Sequence, residues 1–484
     1  MTISKLQPEC IWKHFHSLTQ IPRPSKNEEA ASLFIKKFGK SLGLETIVDH
    51  VGNVIIRKPA TPGMENCKGI VLQGHLDMVP QNNADTPHDW TKDPVETYID
   101  GDWVRAKGTT LGADNGLGVA TAMAILESKD LVHGPIEALF TIDEETGMTG
   151  AKELKEGVLK GEILINLDSE EEGVFYIGCA GGTDTDATFT FSRHDIKPKY
   201  DRFDLVVKGL RGGHSGMEIN EGRANAIQLA SRILQPILED MDAELILFNG
   251  GSLRNAIPRE ATATIAIAHY RLTQARKLVK NMTAQMIEEF GSVEPNLKIS
   301  FQASRCTRKP IDHKQGLAIV KSLLCCPNGV ERMSPAMPGL VETSNNLAFV
   351  ELTRAHGHIK TLCRSSIDSA KEALTDKIKA AFTLAGAEVN FSGQYSGWAP
   401  NPDSEIMETM KKCYNELYGT EPKIEAIHAG LECGILGGKY PNWDMISCGP
   451  TLMSPHSPDE RVYIPSVGKF WEFIKHVLAN APRR

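Results

Sequence analysis

The chain has 484 residues, of which 24% are charged and 41% hydrophobic, and its formal net charge is -8. This length predicts about three folded units at roughly 150 residues each. No long basic run is present to follow a phosphate backbone, so we expect no nucleic-acid partner. No apolar run approaches the roughly 20 residues that span a bilayer, which predicts a soluble cytoplasmic protein without a membrane partner. Ten scattered cysteines without a C-x-x-C pattern favour reduced thiols.

The first third of the chain alternates helical and strand patterns. Helical periodicity covers residues 28–45 and 117–128, strand patterns cover 53–59 and 69–77, and two short apolar runs, 136–145 and 162–170, end in acidic residues. Nearly continuous Val, Ile and Leu strands between helices are typical of an α/β fold. We therefore predict a mostly parallel sheet with helices on both faces.

The pattern changes in the middle of the chain, where longer alternating strands appear. We predict an inserted α+β lid domain over residues 184–394, built from two tandem α+β units at about 201–302 and 315–393. From residue 395 the helix and strand style of the first third returns. Residues 1–183 and 395–484 are therefore predicted to form one catalytic domain.

Acidic and histidine residues recur where the predicted strands end. His75 and Asp77 form an H-x-D pair, in which the carboxylate can fix the ring of a metal-binding imidazole. Asp114, Asp168 and the adjacent pair Glu144 and Glu145 stand in similar places, and His456 follows late in the chain. Open α/β sheets place ligand sites at the carboxyl ends of their strands. Simpler alternatives stay open: Asp114 could cap a helix, Asp168 could lie in a solvated loop, and His456 could be a surface turn residue.

His75, Asp114, Glu145, Asp168 and His456 together form a set of imidazoles and carboxylates without a thiolate. Such a set suits zinc, or cobalt or manganese. Five ligands are too many for one catalytic zinc but suit two ions that share a bridging carboxylate. The remaining carboxylate, Glu144, is then a candidate general base.

Eight motifs resemble those of the bacterial aminoacyl-histidine dipeptidases, also called Xaa-His or cytosolic non-specific dipeptidases, of the zinc aminoacylase/carboxypeptidase superfamily. They are GHLDMVP, GTTLGADNG, DEETGM, NLDSEEEG, RGGHSG, LRNAIPREA, HAGLECG and GPTLMSPHSPDE, and they span nearly the whole chain. The resemblance implies the following roles: His75 and Asp168 on one zinc, Glu145 and His456 on the other, Asp114 as the bridge, Asp77 as support for His75, and Glu144 as the base. It also implies a cis peptide bond after Asp114.

The resemblance assigns further roles in the predicted lid. His214, Asn255 and Arg364 would stabilise the carbonyl oxygen and hold the substrate's C-terminal carboxylate, and Gly430 would contact the substrate through its backbone. A surface ion pair for Arg364 and a turn for Asn255 remain alternatives. Because the lid contains two units, we expect His214 to act within its own chain, although a homodimer is possible.

The implied activity is hydrolysis of the peptide bond of unblocked dipeptides, including Xaa-His, by water that two zinc ions and Glu144 activate. Two alternatives stay open at this point. One is an amidohydrolase that removes the acyl group of N-acyl amino acids with the same metal set. The other is a metal-binding protein without catalytic activity.

Overall fold

A computed structural model describes residues 2–484 of the chain. Its α-helices are α1 Glu9–Thr19, α2 Glu29–Ser41, α3 Ala113–Glu127, α4 Glu144–Gly147, α5 Thr149–Glu153, α6 Ala226–Asp240, α7 Leu272–Phe290, α8 His313–Cys325, α9 Asp368–Leu384, α10 Glu405–Tyr418, α11 Glu432–Lys439 and α12 Ile464–Ala479. Its strands are β1 Glu45–Val48, β2 Val54–Lys58, β3 Ile70–His75, β4 Thr97–Asp100, β5 Trp103–Ala106, β6 Ile136–Thr141, β7 Ile163–Asn166, β8 Val174–Cys179, β9 Gly181–Thr190, β10 Tyr200–Lys208, β11 Gly213–His214, β12 Glu244–Gly251, β13 Ala256–Ile257, β14 Ala261–Ala268, β15 Lys298–Ala303, β16 Gly329–Met333, β17 Val341–Leu352, β18 His356–Ser365, β19 Glu388–Tyr395, β20 Lys423–Ile427, β21 Asp444–Ser447, β22 Leu452–Met453 and β23 Arg461–Tyr463.

The chain divides into two compact units. Unit 1 contains the residues up to Gly178 together with Pro400–Ala426 and Leu431–Arg484, and unit 2 contains Cys179–Ala399 and Ile427–Gly430. The predicted insert, 184–394, lies within unit 2. The short segment Ile427–Gly430, which we predicted in the C-terminal part of the catalytic domain, groups with unit 2 instead. The domain boundaries themselves stay a prediction.

Unit 1 is built around an eight-stranded sheet of order β1-β2-β6-β3-β7-β21-β8-β20. The four strands β6, β3, β7 and β21 run parallel to one another, whereas β1, β2 and β8 pair antiparallel with their neighbours. Every residue of β3, β6 and β7 is buried. Strands that are buried throughout read as continuous apolar runs, which is why the sequence revealed them. The predicted α/β fold class is confirmed.

Unit 2 contains a nine-stranded sheet of order β15-β10-β14-β12-β17-β18-β9-β19, with β16 paired to β17. The first predicted α+β unit supplies β10, β12, β14 and β15, and the second supplies β17, β18 and β19. An antiparallel pairing of β12 with β17 joins them, with Asn249 opposite Glu351. One apolar core runs under both, from Phe203 and Leu234 to Ile378 and Phe382.

Local capping explains where several helices begin. The Asn225 side chain accepts hydrogen bonds from the backbone N–H groups of Ile227 and Gln228 at the start of α6. Asp312 and Ser404 cap α8 and α10 in the same way. Such caps satisfy N–H groups that have no partner inside the helix. Among residues 2–484, no helix combines the length and the apolar composition needed to cross a membrane.

Candidate active site

The predicted metal ligands of unit 1 follow neighbouring strands of its sheet. His75 is the last residue of β3, Asp168 follows β7 by two residues, and Glu145 follows β6 by four. Because these strands are parallel neighbours, their carboxyl ends meet at one edge of the sheet. Asp114 lies at the start of α3, and His456 lies between β22 and β23.

The structure brings all five side chains together in two groups that share Asp114. Nε2 of His75 lies 3.1 Å from Oδ1 of Asp114 and 3.4 Å from Oδ1 of Asp168. Nε2 of His456 lies 3.1 Å from Oδ2 of Asp114 and 3.0 Å from Oε2 of Glu145. Each group therefore contains one imidazole and two carboxylates, with the Asp114 carboxylate common to both. Their roles as metal ligands stay predictions.

The backbone at Asp114 is not helical, although the residue lies within the bounds of α3. Asp114 and Asn115 depart from helical φ and ψ, and the peptide bond between them is cis, as predicted. The two oxygens of the Asp114 carboxylate contact His75 and His456. Helix capping therefore does not explain this carboxylate.

Asp77 supports both His75 and the segment that carries the two glutamates. Nδ1 of His75 donates to the Asp77 carbonyl at 3.1 Å and lies 3.3 Å from Asp77 Oδ1, so Nε2 is the nitrogen that faces Asp114 and Asp168. The Asp77 carboxylate accepts from the N–H groups of Glu144 at 3.0 Å and Glu145 at 3.2 Å, and from the Ser25 hydroxyl at 2.8 Å. Burial alone would raise the pKa of Asp77, but the hydrogen bonds from His75 and the backbone lower it to about 2.

The donor set fits a pair of divalent cations. Oε1 of Glu145 and Oδ1 of Asp168 are buried without a hydrogen-bond partner. Burial and the neighbouring charges of Asp114 and Glu145 raise the pKa of Asp168 to about 7. Burial, together with Asp168, Glu432 and Glu145, also raises the pKa of Glu144 well above its ordinary value. Such crowding of buried carboxylates is costly unless positive charge is present, and one ligand atom each of His75, Asp114 and Glu145 lies close enough to share an ion.

A second group of acids, Glu28, Asp77 and Asp143, also lies close together. Its carboxylates are already satisfied by the protein. Glu28 accepts from the N–H groups of Lys26 and Asp143, and Asp143 accepts from the hydroxyls of Thr146 and Thr149. This group therefore has a structural explanation that needs no cation.

Two residues that the sequence analysis did not single out hold the ligand loops together. The Asn115 side chain donates to the Leu167 carbonyl at 2.6 Å and accepts from the His75 N–H at 3.2 Å. Arg23 is fully buried and donates to the carbonyls of Leu76, Asp77 and Gly112. Asn115 belongs to the GADNG motif, so its position beside Asp114 was a sequence signal for a role in the site. Arg23 bonds only to backbone atoms, so no sequence signal points to it.

In unit 2, His214 is held as a neutral hydrogen-bond donor. Its Nδ1 accepts from the N–H groups of Gly216 at 3.2 Å and Met217 at 3.1 Å, so the ring proton of the neutral form lies on Nε2. Burial and the positive charge of Arg364 lower the pKa of His214. Nε2–H is therefore available to donate to an oxygen of a substrate.

Asn255 lies beside His214 because strands β11 and β13 form a small ribbon. His214 is opposite Ala256 in that ribbon, and the Ser215 N–H donates to the Asn255 carbonyl at 2.8 Å. The Asn346 side chain donates to the carbonyls on both sides of Asn255, at 3.1 Å to Arg254 and 2.9 Å to Ala256. The loop is thus fixed while the Asn255 side chain stays exposed.

Arg364 is a buried cation with few protein partners. It is 6% exposed, its Nη1 donates to the Tyr395 hydroxyl at 3.3 Å, and its Nε has no partner. This contradicts the alternative of a surface ion pair. On the next strand, opposite Arg364, Ser344 bonds Nε2 of His428 at 2.7 Å. Burial and the charge of Arg364 lower the pKa of His428 to about 3, so this imidazole stays neutral beside the guanidinium.

Gly430 lies two residues after His428, in the short segment that groups with unit 2. The Ala180 N–H donates to the Ala429 carbonyl at 3.0 Å, which fixes the backbone just before Gly430. A Cβ at Gly216 would approach the His428 carbonyl to 2.3 Å, so this segment packs closely against the loop of His214. His428 belongs to the HAGLECG motif, but the resemblance to a family assigned it no role.

The fold and this arrangement define a metallopeptidase, and the chain belongs to peptidase family M20/M25/M40, whose model matches residues 71–480. The resemblance stated from the motifs is thereby confirmed at the level of the family. Peptidases of this family are metal-dependent.

Individual relatives agree over the whole chain. It is 45% identical over 482 residues to the cytosol non-specific dipeptidase of Escherichia coli, covering 100% of this chain and 99% of the relative. It is 46% identical to the aminoacylhistidine dipeptidase of Vibrio alginolyticus, whose crystal structure matches with a TM-score of 0.96 over 100% of this chain and 99% of the other. Aminopeptidase PepT of Bacillus cereus, 17% identical with a TM-score of 0.58, covering 98% and 99%, shares the fold.

We predict that metal binding releases protons. Hydrogen bonds with Asp114 and Glu145 raise the pKa of His456 to about 11, and nearby carboxylates raise the pKa of His75 despite burial. We therefore expect both imidazoles to be protonated in the metal-free protein at pH 7, whereas an imidazole ligand must be neutral. Asp168, whose pKa is about 7, is also partly protonated, so binding of Zn²⁺ should release at least two protons and the affinity should rise with pH.

Calorimetric titration of the metal-free protein in buffers of different ionisation enthalpy measures this release. A His456→Asn variant should release about one proton fewer than the parent protein. An identical binding enthalpy in all buffers would contradict the prediction.

Proposed function

We propose that this protein is a metal-dependent dipeptidase that hydrolyses the peptide bond of unblocked dipeptides, with Xaa-His among its substrates. The observation that carries the proposal is the sharing of the largely buried Asp114 carboxylate between two imidazoles, each paired with one further carboxylate. Membership of the peptidase family and the names of the two full-length relatives support the same activity. Small peptides are the proposed partners, and the cytoplasm is the proposed compartment.

The proposed ligand set is His75 and Asp168 for one ion, Glu145 and His456 for the other, and Asp114 for both. We propose zinc, for which cobalt or manganese could substitute, because the donors are imidazole nitrogens and carboxylate oxygens. Such a pair supplies Lewis acidity, which brings the pKa of water toward neutrality and polarises a carbonyl group.

Glu144 is the proposed general base. Its backbone N–H is fixed by Asp77, and burial with neighbouring negative charge raises the pKa of its carboxyl group. A carboxylate of raised pKa accepts a proton from water more readily than an ordinary one. Glu144 would then deliver this proton to the departing amine.

The residues of unit 2 are proposed to bind the substrate. His214, neutral and protonated on Nε2, would donate to the oxygen that becomes negative, where one well-aimed donor contributes about 3–4 kcal/mol. Arg364, with Asn255, would hold the C-terminal carboxylate, because its unpartnered guanidinium N–H suits a planar anion. Gly430 is proposed to contact the substrate through its backbone.

Comparing an unblocked dipeptide with its N-acetyl analogue tests the substrate class. We expect hydrolysis of the unblocked dipeptide in the zinc-loaded protein and little hydrolysis of the acetylated compound. Faster release of acetate from an N-acetyl amino acid would instead favour the amidohydrolase alternative. No metal-dependent hydrolysis of either compound would reject the enzyme proposal.

Replacing Glu144 by alanine should abolish turnover while leaving about two metal ions bound per chain, because the proposed two-metal site does not use this carboxylate as a ligand. Metal content by mass spectrometry and dipeptide hydrolysis are the two measurements. Glu145→Ala is the contrasting variant and should lose one ion. A Glu144→Ala protein that loses an ion, or stays active, would show that the two roles are exchanged.

Replacing Arg364 by alanine should lower kcat/KM for a dipeptide by about 10- to 100-fold, since a hydrogen bond to a charged group contributes about 1.5–3 kcal/mol. The same variant should change little with the dipeptide amide, which lacks the carboxylate. Arg332→Ala provides a matched control, because Arg332 pairs with Glu342 and its side chain is 57% exposed. Equal losses with the acid and the amide would exclude a role in carboxylate binding.

We propose that His214 acts within its own chain, because the nine-stranded sheet of unit 2 contains both predicted α+β units. Inactive His214→Ala protein mixed with inactive Glu144→Ala protein should stay inactive under conditions that exchange subunits. A mixture of wild-type protein and the doubly substituted protein is the control for activity that is lost during subunit exchange. Recovered activity would mean that the histidine is donated across a subunit interface.

A further inference from the structure

Glu460 lies four residues after His456 and is 2% exposed. Its carboxylate accepts hydrogen bonds from four consecutive backbone N–H groups. Oε2 accepts from Leu111 at 2.7 Å and Gly112 at 3.0 Å, and Oε1 accepts from Ala113 at 2.8 Å and Asp114 at 3.2 Å. Both oxygens of this carboxylate are therefore used to hold one short stretch of backbone.

That stretch ends at Asp114, the carboxylate shared by the two imidazoles. Arg23 holds the same stretch from its carbonyl side through Gly112. Gly112 has a φ of +70°, and a Cβ there would lie 2.6 Å from Sδ of Met78 and 2.7 Å from Nη2 of Arg23. A side chain would clash here, so only glycine fits this turn between Glu460 and Arg23.

The contacts of Glu460 support the half of the site that contains His456 more than the half that contains His75. The His75 side is tied to Asp114 by Asn115, which bonds the His75 N–H and the Leu167 carbonyl without Glu460. On the other side, Glu460 lies four residues after His456 in the same loop, and its carboxylate accepts a hydrogen bond from the Asp114 N–H. Glu460 therefore links the loop of His456 to the carboxylate that His456 shares.

We propose that Glu460 is a positioning residue that sets Asp114 relative to His456 and so determines the affinity for the cation held by Asp114, Glu145 and His456. The inference rests on the proposed two-metal function. A carboxylate is needed because each of its oxygens accepts from two N–H groups. The amide of glutamine would turn an NH₂ group toward two of these donors and lose their hydrogen bonds.

Titration of metal-free protein with Co²⁺, followed by its visible absorption, tests the proposal. Wild-type protein should bind about two ions. Glu460→Gln should bind one ion with nearly unchanged affinity and the other about 10- to 100-fold more weakly, as is typical when a partner of a ligand is removed. The absorption spectrum of the weaker ion should also change, which a general loss of stability would not produce.

Glu137→Gln is the matched control. Glu137 is also buried and accepts from the N–H groups of Lys160 and Gly161 and from Arg57, but it lies near the start of β6, away from the carboxyl ends. The Glu137→Gln protein should bind both ions with the affinities of the wild-type protein. The Glu460→Asp protein, whose side chain keeps the charge but is one methylene shorter, is measured in parallel. It should bind the same ion more weakly, and it replaces Glu460→Gln in the test if the Glu460→Gln protein does not fold.

Unchanged affinity for both ions in a folded Glu460 variant, established by thermal unfolding, would overturn the inference. So would equal weakening of both ions, because the proposal assigns Glu460 to the half of the site that contains His456. A wild-type protein that binds only one Co²⁺ would overturn the two-metal function itself, and the inference with it.

Discussion

Three carboxylates, those of Asp114, Glu145 and Asp168, share a mostly buried site with two imidazoles, and this excess of negative charge is the constraint to which the rest of unit 1 is adapted. Buried charges are costly unless they are paired and hydrogen-bonded. Two divalent cations would neutralise the excess, but the side chains must stay close before an ion binds. The neighbouring backbone is accordingly tied by buried polar groups, among them Asp77 and Arg23, rather than by apolar packing alone.

A chain of buried polar side chains runs beneath the same edge of the sheet. Glu432 accepts from Gln73 at 2.6 Å, Asn166 donates to Gln73 at 2.6 Å, and Ser447 donates to Asn166 at 2.5 Å. The members lie on β3, β7, β21 and α11, so the hydrogen bonds cross neighbouring parallel strands. Hydrogen-bonded polar networks in a buried environment favour a single arrangement, and in this one only Oε1 of Glu432 has no partner. This one fixes the relative positions of the strand ends from which His75 and Asp168 follow.

The sequence predicted β2, β3, β6 and β7 of unit 1, and the residues that follow β3, β6 and β7, because both signals are local. A buried parallel strand is a continuous apolar run, and a ligand within four residues of it stands out. The contact between His456 and Asp114 spans 342 positions. The sequence grouped the two residues in one ligand set, but only the resemblance to a family assigned them to the same ion. Arg23 and Glu460 were not found because their partners are backbone atoms, which leave no pattern of residue types. His428 was missed for a related reason: burial beside Arg364 defines its state, and burial of a lone histidine is not visible in sequence.

The electrostatics of the two units differ in a way that matches the chemistry of a dipeptide. Unit 1 presents carboxylates and imidazoles suited to cations, whereas unit 2 gathers a sparsely paired guanidinium and two imidazoles that burial keeps neutral. A dipeptide offers one carboxylate and one peptide carbonyl a few bonds apart. If Arg364 binds the carboxylate and His214 the carbonyl oxygen, the distance between these groups in the substrate is set by a single residue. A longer peptide would place a neutral amide beside the guanidinium and would lose the charge-assisted hydrogen bonds that a carboxylate makes. With this assignment, the charge of Arg364 would select for short substrates.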